Sequence, residues 1–165
     1  MQFVKYIFIF LVALFIEKNL ISFIAINDIT PDLILIFVII FSLRENRPES
    51  TIVGFAAGLV QDAFTTTFFG LSALTKTIVG FWGCFFHQPR RQYTLVYYMG
   101  TSLLLVLTHD LIYQIIYRLG GQVTLLKLLF YHALPRSVYT LFAAAVIYLI
   151  FGNWLWKYKR TADRL

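Results

Sequence analysis

Residues 54–62 read GFAAGLVQD: two glycines four apart, and an aspartate four beyond the second. On a helix, positions i, i+4 and i+8 form one stripe. Gly54 and Gly58 remove side chains from that stripe and Ala57 widens it, so a neighbouring backbone can approach closely, as in the small-xxx-small packing of membrane helices. Asp62 then points along the same face, toward protein. A bilayer demands that orientation, because an aspartate at a helix centre costs about 2.5–3.5 kcal/mol on insertion scales. Two structural roles follow. The glycines pack on another helix, and Asp62 accepts from a nearby group: the hydroxyls of Thr65, Thr66 or Thr67, or an amide near the start of the next segment. A transport or catalytic role for Asp62, and a place in a partner interface, stay open as alternatives.

The rest of the chain puts this stretch in a membrane. Of 165 residues, 59% are hydrophobic and 13% charged, against about 25% charged in an ordinary soluble domain. The mean hydropathy is +0.75. The net charge of +6 could suggest nucleic acid, but most of the basic residues cluster at the ends of apolar runs, where they mark membrane topology. No nucleic-acid partner is expected. The single cysteine, Cys84, permits no intramolecular disulfide and no thiolate metal site, and His87, His109 and His132 lack ligand spacing. No metal or other cofactor is expected.

Six apolar segments, or five by hydropathy alone, predict an all-α integral membrane protein. The chain 1–165 reads as a single polytopic domain with spans near 3–26, 29–43, 51–66, 71–86, 93–117 and 136–156. A crossing needs about 20 residues, so the second to fourth segments are short, and are expected to tilt less, start earlier or cross a locally thinned bilayer. Residues 124–134, TLLKLLFYHAL, read as an interfacial helix that breaks at Pro135. The N-terminal run lacks a small-residue cleavage site after Glu17 and Lys18 and reads as a retained anchor.

Basic residues set orientation. Lys5, the pair Arg44 and Arg47, the pair Arg90 and Arg91, and the tail with Lys157, Lys159, Arg160 and Arg164 all fall on one side of a six-span chain. The positive-inside rule makes that side cytoplasmic, with both termini inside. Arg118, Lys127 and Arg136 disagree, since they fall on the outer side. Tyr93, Tyr97 and Tyr98 open the fifth segment, and Trp154, Trp156 and Tyr158 close the sixth, as interfacial aromatics do.

Other intramembrane polar residues call for partners. Lys76 either snorkels to the outer headgroups or pairs with Asp62 across the short turn. Asp110 lies in the outer half of the fifth segment. His109, adjacent in sequence, points to another face and reads as a satisfied or interfacial histidine. Glu17 is expected to face the bundle while Lys18 snorkels. Two membrane aspartates could suggest an intramembrane protease, but Asp62 sits in GLVQD, not G-x-G-D. The H-E-x-x-H, G-x-S-x-G, P-loop and dinucleotide patterns are all missing. A non-enzymatic role is expected.

Gly54-x3-Gly58-x3-Asp62, with Gly70 eight residues on, resembles the central signature of the MreD family of rod-shape-determining membrane proteins. Pro31 in Thr30-Pro31-Asp32 and Asp110 fall where the family carries a proline and an acidic residue. With Lys76, these residues are the structural or interface candidates. The resemblance implies a bacterial inner-membrane scaffold of the elongation machinery. Its partner would be an MreC-like single-span protein and, through it, MreB filaments and peptidoglycan synthases; a homodimer is also compatible. The family is similar in fold to the substrate-binding membrane subunits of energy-coupling-factor transporters. A vitamin-like small-molecule-binding transporter subunit is therefore the alternative function.

Overall fold

The computed structural model describes residues 2–19, 30–64, 68–87, 94–117 and 134–157, with side chains from 6 to 150 within those ranges. Thr65, Thr66 and Thr67, and the expected interfacial helix up to residue 133, lie outside the described residues. Everything regular among the described residues is helical: α1 (Gln2–Asn19), α2 (Leu33–Ser42), α3 (Arg47–Ala63), α4 (Leu71–Gly83, continued by a 3₁₀ turn Cys84–Phe86), α5 (Leu95–Tyr117) and α6 (Leu134–Lys157). By length and composition, α5 is long and apolar enough to cross a membrane.

Local chemistry explains where helices begin. α2 starts at Leu33, because the Asp32 carboxylate accepts from the Leu35 amide at 2.7 Å and the Asp32 backbone is extended. Pro31, buried just before it, holds the entering chain away from helical geometry. α3 starts at Arg47, four residues earlier than the apolar run suggests, with Pro48 in its first turn. α6 starts at Leu134, so Pro135 lies inside the first turn and does not break the segment. Both prolines are tolerated for one reason: the first amides of a helix have no intrahelical acceptor to lose.

Successive helices alternate in direction. Glu17 and Tyr6 of α1 meet the start and end of α2, at Ile34 and Phe41. Gly54 and Gly58 of α3 face Lys76 and Ala73 of α4. Lys76 faces His109 of α5, while Gly83 faces Leu105. Asp110 meets Ser137 of α6, while Tyr98 stacks on Tyr148 at 5.0 Å. Hence α1, α3 and α5 end, and α2, α4 and α6 begin, at one end of the bundle.

The interior combines an apolar post with buried polar groups, and the outside is apolar. α2, LILIFVIIFS, is the central post, buried along nearly its whole length. Around it Thr75, Lys76 and Ser102 are fully buried, while Phe8, Phe142 and Leu149 are 66–71% exposed. A soluble monomer rarely exposes large contiguous apolar patches. Lipid, by contrast, makes outward phenylalanine and inward lysine the favourable arrangement.

Candidate functional site

The aspartate of the opening stretch closes the α3–α4 turn. Asp62 Oδ2 accepts from the amides of Gly70 and Ala73, both at 3.0 Å, and Oδ1 accepts from Ser72 at 3.1 Å. These amides open α4, where a helix carries unsatisfied donors and the positive end of its dipole. A carboxylate there contributes up to about 2 kcal/mol in a partly buried setting. Gly70 makes the turn possible with φ of +98°, a conformation that costs glycine little and other residues more.

The glycines bring α4 to this carboxylate. A Cβ at Gly54 would lie 2.4 Å from the Lys76 carbonyl oxygen, and one at Gly58 would lie 2.3 Å from Ala73 Cα. Gly80 reciprocates, its missing Cβ 2.4 Å from the Ser50 carbonyl oxygen. The seam is therefore backbone against backbone. Gly54 also sets the depth of Lys76, because it touches the Lys76 peptide itself.

From there a polar network reaches every helix. Lys76 Nζ donates to Asp32 Oδ2 at 2.7 Å, and both side chains are about 1% exposed. The Asp32 amide faces Thr140 of α6 at 3.3 Å. His109 places Nε2 3.5 Å from Lys76 Nζ and Nδ1 3.1 Å from Asp110 Oδ1. Ser137 donates to Asp110 Oδ2 at 2.7 Å. The Arg136 guanidinium lies 3.6 Å from Asp32 and 4.0 Å from Asp110, over the Tyr113 ring. Glu17 accepts from the Ile34 amide at 3.1 Å and from Gln61 Nε2 at 2.6 Å. Asp110 sits seven residues before the end of α5, about 10 Å along the axis at about 1.5 Å per residue. Lys76, His109 and Asp110 lie one to two turns inside that end, where an unpaired charge is costly, while Glu17, Asp32, Asp62 and Arg136 lie at the helix ends themselves.

One expectation needs correction and another gains detail. Lys76 pairs with Asp32 and not with Asp62, because the amides of the short turn already occupy Asp62 and α2 brings Asp32 alongside α4. His109 and Asp110 do turn toward different helices, α4 and α6. The second imidazole nitrogen nevertheless reaches back to its neighbour's carboxylate, so His109 is a full member of the network. Of the candidate residues, Gly54, Gly58, Asp62, Gly70 and Lys76 come together along the α3–α4 seam, Asp110 lies across from Lys76 through His109, and Pro31 abuts Asp32.

In sequence Asp32 stood out only as the neighbour of Pro31, although an aspartate just before an apolar run is a helix N-cap signal. Arg136 stood out as an exception to the basic-residue topology. The structure sets it beside two buried carboxylates, Asp32 and Asp110.

Chemically, the arrangement joins helices. Lys76, Asp32, Asp110 and Asp62 each contact a group on a different helix. Removing one member of such a buried pair costs about 3–5 kcal/mol, because the other charge is left uncompensated.

The sequence model of the rod shape-determining protein MreD matches residues 1–158. No curated protein and no solved structure matches the chain. The match spans nearly the whole sequence, and the chain belongs to the MreD family: it is a membrane protein of the rod-shape-determining system.

Proposed function

We propose that this MreD-family chain is a six-span scaffold of the bacterial inner membrane with both termini in the cytoplasm. It binds an MreC-like single-span protein and, through it, connects MreB filaments to the peptidoglycan synthases of elongation. The observation that carries this reading is the consumption of the intramembrane polar groups by helix-to-helix bonds. Asp62 holds three amides, Lys76 holds Asp32, and Asp110 holds Ser137. A bundle fastened in this way suits a fixed platform for other membrane helices.

The basic residues support the orientation. Arg44 and Arg47 lie at the α2–α3 connection and Lys157 at the end of α6, at the end opposite the network; Arg90 and Arg91, outside the described residues, fall in sequence between α4 and α5. The proposal extends to a fold like that of the membrane subunits of energy-coupling-factor transporters, with the polar core holding helices together and not a vitamin. Cysteine labelling of the α2–α3 and α4–α5 connections with an impermeant reagent tests the orientation; labelling from outside intact cells contradicts it.

A mild-detergent pull-down of tagged protein from its native membrane tests the function. Recovery of a single-span MreC-like protein with wall synthases is the expected result. Recovery of paired ATPases and a transmembrane coupling subunit would replace the scaffold by a transporter component. Thermal stabilisation by vitamins that Asp62→Asn abolishes would point the same way.

A further inference from the structure

α5 has two faces, and the bundle uses one of them. The inward face, from Tyr98 through Ser102 and Leu105 to Asp110, is buried. The outward face carries Gly100, Leu103, Leu104, Leu107, Leu111 and Gln114, which are exposed or half-buried. Gly100, Leu107 and Gln114 recur every seven residues, the spacing of helices that wrap around one another with a left-handed twist.

Two residues on that face serve nothing within the chain. Gly54, Gly58, Gly80 and Gly83 each bring their helix against another element, but a Cβ at Gly100 would meet nothing within 4 Å. A glycine weakens a helix interior relative to alanine, so Gly100 destabilises α5 without helping this chain to pack. Gln114 is the second. Among the described residues, none is hydrogen-bonded to its carboxamide. α5 has 23 residues, about 35 Å at about 1.5 Å per residue, against a hydrocarbon layer of about 30 Å. Gln114 lies three residues before the end of α5, just inside the edge of that layer. There an amide gains from a partner on another helix.

We propose that this face is a homodimer interface, with α5 packed on α5 of a second copy. Two copies in one membrane share an orientation. A two-fold axis along the membrane normal therefore sets the two helices parallel, with every residue at the depth of its own copy. Gln114 then meets Gln114. A carboxamide is both donor and acceptor, so the two amides satisfy one another reciprocally. Gly100 meets Gly100 about 21 Å away along the axis, where the missing side chains let the backbones close in. Leu107 packs midway, with Leu103, Leu104 and Leu111 beside it. A lipid tail offers Gln114 neither donor nor acceptor, whereas a second copy brings both at the right depth. The polar network lies on the inward face of α5, so the dimer leaves the internal fastening of each copy untouched and does not depend on the MreC-like partner.

The test is cross-linking of the full-length protein in phospholipid vesicles with an added oxidant. Cysteine variants are made on a Cys84→Ser background, which keeps the buried donor to the Gly80 carbonyl. Leu107→Cys should give a disulfide-linked dimer. Ile52→Cys on α3 and Phe142→Cys on α6, both 66% exposed in the wild type, should not. Should Leu107→Cys fail to fold, Leu111→Cys on the same face answers in its place. Self-association, read by energy transfer between labelled copies, should weaken about three- to thirtyfold in Gln114→Leu. Gln114→Asn, which keeps donor and acceptor, should lose less. A protein that stays monomeric in the bilayer overturns the proposal. So do dimers that link through Ile52→Cys or Phe142→Cys and not Leu107→Cys, or an affinity that Gln114→Leu leaves unchanged. In the native membrane, a Leu107→Cys cross-link to a different protein and not to a second copy also overturns it.

Discussion

The α3–α4 seam and the α1 flank are built on opposite plans. Along the seam, Gly54, Gly58 and Gly80 let two backbones touch, and Asp62 closes the end with three hydrogen bonds. Along α1, side chains meet side chains: Tyr6 on Phe41 at 4.8 Å and Phe10 on Phe37 at 5.6 Å, with apolar hollows to either side. Close backbone contact tolerates no added atom, because an interior cannot absorb volume without shifting its elements. Aromatic contact beside a hollow can give way. One protein is thus close-packed where helices hold an ion pair and looser where α1 rests on its neighbours beside apolar hollows.

Lys76→Met should have the largest effect, about 3–5 kcal/mol, since it strands Asp32 inside the bundle; an unfolding titration in mixed micelles reads it. Gly58→Leu should cost about 3 kcal/mol, because its Cβ would meet backbone at Ala73. If it folds normally and restores rod shape, the close seam is not required. Asp62→Asn should cost about 1–2 kcal/mol in the same titration, through loss of the charge at the α4 N-terminus and one of its two acceptors. Tyr6→Phe, on the α1 flank, should cost about 1 kcal/mol, the value of its hydroxyl bond to Glu45. A Tyr6→Phe loss as large as that of Gly58→Leu would erase the distinction between the two regions.

The seam was legible because its signal is local. Two glycines and an aspartate at i, i+4 and i+8 specify a stripe, and a carboxylate near a short turn finds the amides of the following helix. The six helices were legible as apolar runs, although the starts of α2, α3 and α6 depended on Asp32, Pro48 and Pro135 more than on hydropathy. The network was not legible. Asp32 and Lys76 are 44 residues apart, and nothing in either neighbourhood names the other. Their meeting depends on α2 and α4 running parallel, which is a property of the assembled bundle. Arg136 carried a clue, as a basic residue that departs from the expected positive-inside pattern. A charge that violates the rule for loops is a charge to look for beside a buried partner.

The Asp32–Lys76 pair is the central fastening of the bundle. A double-mutant cycle of Asp32→Asn, Lys76→Met and their combination, measured by unfolding in mixed micelles, isolates their coupling. The account predicts that each single change is severely destabilising and that the double variant recovers much of the loss, with a coupling of about 3 kcal/mol, the upper part of the range for interacting neighbours. Losses that simply add would mean that the two charges do not hold one another, and that the helices are joined by something else.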